Sequence, residues 1–299
     1  MVTLWYPAEA QAGVLPGEYV ERKLVQTVGT NIWDQPDNVS KMFCFSLPDV
    51  PLTANGSSFP VVIYATGYQW PRDTNAEKTE ELASHGFVVA AMDYSESWGT
   101  VFPDGRVLTG DSPPGGYTET EAARILPGRV QDVNVVIGEL DRMNNGDPMF
   151  SGRLNMEKVG GLGLGFGSRI ILDAARVNNR IKATVNLDGG LGGNGTVLYN
   201  AGLPNPILAM YQDEVAPSNQ YLFTRATADA YWCQVLGTEL QTFSDPTYLR
   251  LANAGARTAG VAIRACMLSF FNKYLKGEDN HLLDNPTESF PVIFNYLKK

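Results

Sequence analysis

The chain is poor in the features that mark several large classes of protein. It has 299 residues and a net charge of −9. This charge argues against a nucleic-acid partner, because contacts with the phosphate backbone depend on clustered Lys and Arg. No apolar run approaches the roughly 18 residues that a membrane span needs. The first residues, MVTLWYPAEA, lack the basic start and long apolar stretch of a signal peptide. We therefore expect a cytoplasmic protein without a membrane span.

Cysteine and histidine are also scarce. The three cysteines, Cys44, Cys233 and Cys266, are an odd number at no metal-ligand spacing, so we expect reduced core thiols and no metal site. Of the two histidines, His85 follows a helical stretch, where a capping role is expected, and His281 lies in a polar C-terminal stretch. Neither is expected at a catalytic centre, and no cofactor is predicted.

Short apolar runs alternate with helical patterns along the chain. This alternation predicts an α/β fold, a mostly parallel, doubly wound sheet with helices on both faces. The predicted strands are Val61–Ala65, Phe87–Met92, Lys158–Leu162, Ala183–Leu187, Pro206–Tyr211 and Tyr231–Leu236. The predicted helices are Asn75–Ser84, Arg129–Met143, Gly167–Val177 and Ala256–Leu275. We predict a single domain over residues 1–299, with an irregular loop excursion over about residues 95–125.

One glycine-rich turn follows a predicted strand and opens a predicted helix. Its core is Gly163-Leu164-Gly165-Phe166-Gly167. With Ser168 and Asp188 it approximates a dinucleotide-binding loop, G-x-G-x-x-G/A followed by an acidic residue. The same frame also fits the turn G-x-S-x-G that presents a serine nucleophile, with glycine in place of the serine. Both kinds of site lie at the carboxyl ends of the strands.

Several stretches of the chain support the second interpretation by their order and spacing. They are FPVVIYATG, ELASHGFVVAAMDY, GRVQDVNVVIGEL, GGLGLGFGS, RIKATVNLDG, LGTELQTFSDP and FFNKYLKG. Together they resemble the α/β-hydrolase superfamily, and within it the branch of platelet-activating-factor acetylhydrolases and dienelactone hydrolases. The resemblance covers most of residues 1–280 and implies the α/β-hydrolase fold.

The resemblance also implies where a catalytic triad would lie. The serine nucleophile of the family corresponds to Gly165, the triad acid to Asp188 and the catalytic histidine to Leu240. Glycine and leucine cannot carry out a serine–histidine relay, since that relay needs a hydroxyl and an imidazole. The triad therefore looks degenerate at two of its three positions.

Other parts of such a site do not depend on serine or histidine. The two backbone N–H groups of the implied oxyanion hole correspond to Phe166 and Tyr68. Asp188 would be a proton acceptor or donor in an apolar pocket, or a structural residue that binds backbone amides. Together Asp188, Tyr68 and Phe166 are the predicted catalytic residues. The predicted substrate-binding residues are Thr66, Gly67, Trp70, Trp98, Leu164 and Glu239.

An oxyanion hole without a serine leaves three hypotheses for function. The first is a non-hydrolytic enzyme of secondary metabolism, a cyclase, pericyclase or isomerase that binds an apolar, carbonyl-bearing small molecule. The second is a pseudo-hydrolase that binds a ligand as a receptor or regulatory protein. The third is an esterase with a non-serine nucleophile, either Asp188 itself or an activated water. The sequence favours the first.

Overall fold

An eight-stranded sheet organises the chain. The structure, a computed structural model, describes residues 1–32, 36–56, 58–110, 118–190, 202–214, 220–245 and 254–299. The strands are β1 (Val2–Trp5), β2 (Phe59–Ala65), β3 (Val88–Met92), β4 (Thr100–Val101), β5 (Val107–Leu108), β6 (Leu154–Leu164), β7 (Ile181–Leu187), β8 (Ile207–Gln212), β9 (Ala230–Val235) and β10 (Ile293–Lys298). The helices are α1 (Arg22–Ile32), α2 (Pro36–Val39), α3 (Ala76–Ser84), α4 (Glu119–Gly146), α5 (Phe166–Val177), α6 (Tyr221–Arg225), α7 (Ala254–Phe271) and α8 (Pro286–Ser289).

The strand order is β1-β3-β2-β6-β7-β8-β9-β10, and β4 and β5 form a separate hairpin. The six strands from β3 to β9 pair in parallel, whereas β1 and β10 pair antiparallel at the two edges. The central strands read as continuous apolar runs because both faces of the sheet are covered. One apolar core lies under α4 and α5, and a second lies under α3 and α7. The predicted α/β-hydrolase fold, with helices on both faces of a mostly parallel sheet, is confirmed.

Helix α4 differs most from the sequence prediction. It begins at Glu119, ten residues before the predicted start at Arg129, and it contains Pro127. The Thr118 side chain accepts a hydrogen bond from Glu121 N at 3.1 Å and so caps the helix. Ala122, Ile125 and Leu126 are buried, so packing holds a helical turn that the Pro-Gly pair disfavours by local propensity. The predicted excursion therefore contains the β4–β5 hairpin and the first turns of α4, and its residues 111–117 lie outside the described residues.

Two further findings bear on the predictions. Strand β10 and helix α1 have no counterpart among the predicted elements. Among the described residues, no helix combines the length and hydropathy that crossing a membrane requires. The single-domain organisation stays a prediction.

Candidate active site at the carboxyl edge

The turn between β6 and α5 has the backbone of a nucleophile elbow. Gly165 has φ 55° and ψ −120°, a backbone conformation that residues with a side chain rarely adopt. Gly165 N donates to Leu187 O at 2.9 Å, which ties the turn to the end of β7. A Cβ atom at Gly167 would collide with the carbonyl oxygen of Ala65, and one at Gly163 would collide with the backbone of the turn. The elbow therefore needs glycine at both flanking positions, as the G-x-S-x-G frame predicts.

The loop after β2 packs against this elbow. A Cβ atom at Gly67 would lie 3.6 Å from Leu164 O and 3.1 Å from Trp70 Cδ1. The rings of Tyr68 and Phe166 meet edge to face, with their centroids 6.1 Å apart. The structure thus brings together the two residues whose N–H groups were predicted to bind an oxyanion. The Phe166 N–H lies at the first position of α5, where backbone N–H groups point out of the helix end.

Two tryptophans extend this wall. The rings of Trp70 and Trp98 are 5.6 Å apart, and Trp98 N donates to Gln69 O at 2.8 Å. Both side chains are half-buried, whereas Thr66 and Gly67 are buried. Trp70, Thr66 and Gly67 therefore lie with the elbow, and Trp98 joins them through Trp70. Contact of these residues with a substrate stays a prediction.

Asp188 lies immediately after β7, beside the elbow. It has φ 49° and is 9% exposed. Its Oδ1 accepts a hydrogen bond from Gln212 N at 3.1 Å, and its own N–H donates to Met210 O at 2.8 Å. Burial raises the pKa of the Asp188 carboxyl from 3.8 to about 6, although the Gln212 hydrogen bond opposes the shift. The carboxylate is thus a base with a pKa suited to proton transfer near neutral pH.

A small polar cluster holds the turn around Asp188. Asn186 Oδ1 accepts from Gly189 N at 2.8 Å, and Asn186 Nδ2 donates to Gly189 O at 3.1 Å. The Tyr211 hydroxyl accepts from the same amide at 3.0 Å. The sequence prediction did not include Asn186 or Tyr211. The pattern Asn-Leu-Asp-Gly, with an amide two residues before the acid, was the only signal for Asn186.

The loop after β9 reaches the elbow through Leu240. A Cβ atom at Gly165 would lie 3.6 Å from Leu240 Cδ1, so Leu240 occupies the space next to a nucleophile position. Leu240 opens a short 3-10 helix, Leu240–Phe243, and the exposed Glu239 caps it: its side chain accepts from the Thr242 backbone, and its N–H donates to Thr242 Oγ1 at 3.1 Å. Glu239 thus has a structural role, and its contact with a substrate stays a prediction.

Neither histidine of the chain lies at this site. His85 ends α3, and its Nδ1 lies 2.9 Å from Glu81 O. The His281 Nδ1 lies 3.0 Å from Asp284 Oδ2 on an exposed segment. Ser168, next to the elbow, is buried, with its Oγ 3.5 Å from Leu187 O. The structure therefore unites Gly165, Asp188 and Leu240 as the resemblance implies, without an imidazole.

No protein-family model matches the chain. It is similar to a probable 1-alkyl-2-acetylglycerophosphocholine esterase of Arthroderma benhamiae, with 27% identity over an alignment of 269 positions that covers 78% of this chain and 65% of that protein. The chain thus spans less than two thirds of the length of this relative. Among solved structures it is similar to a ferulic acid esterase from Streptomyces cinnamoneus, with a TM-score of 0.81 and 23% identity over 98% of this chain and 87% of that one.

These comparisons correct the functional hypothesis that the sequence favoured. The prediction of a cyclase, pericyclase or isomerase is wrong, because both similar proteins are named as esterases. The pseudo-hydrolase with a degenerate triad is contradicted by the same finding. The error has a physical source: backbone donors that polarise a carbonyl serve ester cleavage as well as cyclisation, so their retention does not identify the reaction. The chain is an α/β-hydrolase-fold protein that resembles the branch of platelet-activating-factor acetylhydrolases and dienelactone hydrolases.

Proposed function

We propose that the chain hydrolyses carboxylic esters and that a water activated by Asp188, not a serine, attacks the carbonyl carbon. The observation that carries the proposal is a buried carboxyl, whose pKa burial raises to about 6, beside a turn that has the backbone geometry of a nucleophile elbow. The esterase names of the two similar proteins support the reaction class. The retained elbow supports a carbonyl-binding role, since its backbone donors do not depend on serine.

The oxyanion hole supplies the first part of the mechanism. The carbonyl oxygen of the ester faces the N–H groups of Phe166 and Tyr68, whose rings are in contact. As water attacks, negative charge develops on this oxygen and both donors stabilise it. One such donor is worth roughly 3–4 kcal/mol in the transition state of acyl transfer.

Asp188 supplies the proton chemistry. Its carboxylate removes one proton from the water as the new C–O bond forms, and the resulting carboxylic acid returns that proton to the leaving alkoxide as the ester C–O bond breaks. The products are a carboxylic acid and an alcohol, and Asp188 returns to its starting state. A raised pKa makes the carboxylate a stronger base than an exposed aspartate.

Gly165 and Leu240 give the pocket a suitable shape. Glycine at the elbow removes the Cβ and hydroxyl that a serine would place there, so a water has space in front of the carbonyl carbon. Leu240 approaches this space to within van der Waals distance and makes one side of it apolar. With Leu164, Trp70 and Trp98 this favours an apolar small-molecule ester, and Thr66, Gly67 and Glu239 remain proposed substrate contacts.

The decisive experiment measures hydrolysis of short p-nitrophenyl esters together with intact mass after exposure to a fluorophosphonate. We expect turnover by the wild-type protein without a covalent adduct. Asp188→Asn should lower kcat/KM by roughly 10²–10⁴-fold, the usual contribution of a general base. Asp173→Asn is the matched control, because burial also raises the pKa of the Asp173 carboxyl on α5. A serine adduct, or full activity of Asp188→Asn, contradicts the proposal.

A single turnover in ¹⁸O-water distinguishes the two roles of Asp188. When water attacks the ester directly, ¹⁸O enters only the released acid. When Asp188 attacks first, it displaces the alkoxide and forms an anhydride, and attack of water on the aspartyl carbonyl of that anhydride places ¹⁸O in the Asp188 carboxyl. Mass spectrometry of the peptide that contains Asp188 reads out the difference. Label in this peptide refutes the activated-water mechanism and leaves the esterase activity standing.

A further inference from the structure

A cavity lies beside the edge strand β1. It has a volume of about 700 Å³ and runs between β1, α3 and the segments around Gly17 and Cys44. Its lining contains none of the residues of the elbow, of the loop that carries Tyr68, or of the turns at Asp188 and Leu240. It is therefore distinct from the proposed esterase site, and an inference about it does not depend on that proposal.

The charges around this cavity are unbalanced. Six carboxylates line it: Glu9, Glu18, Glu21, Asp49, Asp73 and Glu80. Among the described residues of the lining, Arg72 is the only Lys or Arg, and its guanidinium is already engaged by Asp93, by Thr3 Oγ1 and by Glu21 at 3.4 Å. The cavity thus has a strongly negative potential that its own cation does not cancel.

Among these six carboxylates, Asp73 differs in its burial and in its hydrogen bonding. It is 8% exposed, and among the described residues its carboxylate accepts no hydrogen bond. The nearest cationic atom is Arg72 Nε at 4.0 Å, but the Nε–H is donated to Thr3. Glu80, in contrast, accepts from both the N–H and the hydroxyl of Ser46, and Glu18 pairs with Arg22.

A buried carboxylate without a hydrogen-bond donor is costly, and a ligand that supplies positive charge removes that cost. Burial raises the pKa of the Asp73 carboxyl to about 7, because the ionised carboxylate is poorly solvated there. Three aromatic residues, Trp5, Tyr6 and Tyr19, also line the cavity. Aromatic faces and carboxylates together are the surroundings that organic ammonium groups prefer.

We propose that this cavity, which we name the Asp73 cleft, binds an organic cation that carries an amine or quaternary ammonium group. The volume admits a small organic molecule rather than only a metal ion. Moreover, no group of three or more His, Cys, Asp or Glu side chains among the described residues has the arrangement of a metal site. The cation lies against Asp73, and the aromatic side chains surround its apolar methyl or methylene groups.

The test is calorimetric titration of the full chain at pH 8, where Asp73 is mostly ionised, with choline and with tetramethylammonium. The neutral isostere of choline, 3,3-dimethylbutanol, is titrated in parallel. We expect one saturable site for the cations and at least tenfold weaker binding of the neutral molecule. Equal binding of the isostere, or no saturable binding of either cation up to roughly 10 mM, overturns the proposal.

Variants assign the binding to Asp73. Asp73→Asn should raise the dissociation constant for choline at least tenfold, whereas Glu139→Gln, an exposed glutamate on α4, should leave it unchanged. Glu21→Lys gives a second test if the Asp73 variant does not fold, because the Glu21 side chain is half exposed and its charge acts on Asp73, so a lysine there would compete for Asp73. We expect this variant to lose choline binding. Wild-type affinity in either folded variant refutes the assignment.

Discussion

Restoring a serine and a histidine to the elbow is the sharpest test of the site. The double variant Gly165→Ser, Leu240→His would place a hydroxyl and an imidazole beside Asp188. The Gly165 backbone already has the geometry of an elbow, and a Cβ atom there meets Leu240 Cδ1 at 3.6 Å, an ordinary contact. Residue 240 therefore touches the position where the serine side chain would begin.

The double substitution should leave the protein folded. A serine at φ 55° costs roughly 1–3 kcal/mol of backbone strain, a fraction of the roughly 5–15 kcal/mol that stabilises a typical domain. Leu240 is 39% exposed, so a histidine there displaces no buried core side chain. We therefore expect a folded protein with a slightly lower melting temperature, which circular dichroism checks.

The expected gain is covalent reactivity. The double variant should form a fluorophosphonate adduct at residue 165 and hydrolyse p-nitrophenyl acetate roughly 10²–10⁴ times faster than Gly165→Ser alone, because a general base is worth that much. The two single variants complete the cycle, and Leu240→His alone should form no adduct. A folded double variant that reacts no faster than Gly165→Ser would refute the alignment of residue 240 with the catalytic histidine.

Four further predictions concern stability and pH. In wild-type protein kcat/KM should rise with pH through about 6, since the base form of Asp188 is required, and Asp188→Asn should lose this rise. The native carboxyl keeps its proton up to pH 6 and the unfolded one releases it near 3.8, so Asp188 lowers stability as pH rises through this window. Asp188→Asn should therefore be more stable than wild type at pH 8, by about 3 kcal/mol for two pKa units, and equally stable at pH 3.5, in urea titrations. A wild-type midpoint at pH 8 in this variant contradicts the burial argument. Gly167→Ala should lose roughly 3 kcal/mol or more in the same titration through its backbone clash, whereas Gly138→Ala, in open space on α4, should lose nothing. Lys78→Met should lose roughly 3–5 kcal/mol at pH 8, because it leaves the buried Asp245 carboxylate without its ammonium partner at 3.7 Å.

The centre of the sheet was predictable from the sequence because its strands are unbroken apolar runs. Strands β2 and β3 and helix α5 lie within one or two residues of their predicted bounds. The edge strand β10 was missed for the opposite reason: its burial pattern mixes buried, half-buried and exposed residues, so neither the apolar run nor a clean alternation was present. Strand β10 joins the sheet by pairing with β9, which lies far from it in sequence, so no local pattern indicates this contact.

The positions of several site residues were predictable from short sequence motifs. The frame of Gly163, Gly165 and Gly167 predicted the elbow turn, and the resemblance to α/β-hydrolases implied the positions of Asp188 and Leu240. The reaction was not predictable, because the loss of two reactive side chains removes one mechanism without specifying another. The polar support of Asp188 by Asn186 and Tyr211 also stayed hidden, since Tyr211 lies on the next strand and only the sheet brings it close.

The surroundings of the buried aspartates separate structural carboxylates from a reactive one. Asp93 receives the Arg72 guanidinium, and Asp245 faces the Lys78 ammonium and the Tyr19 hydroxyl. Asp188 has one backbone N–H as its hydrogen-bond donor among the described residues, and no cation contributes to its pKa. A purely structural aspartate gains nothing from that arrangement, since an asparagine would accept the same hydrogen bond without the cost of a buried charge. A proton acceptor does gain, because the missing cation is what keeps its pKa near neutral. The stability that Asp188→Asn recovers and the activity that it loses should therefore have the same physical origin.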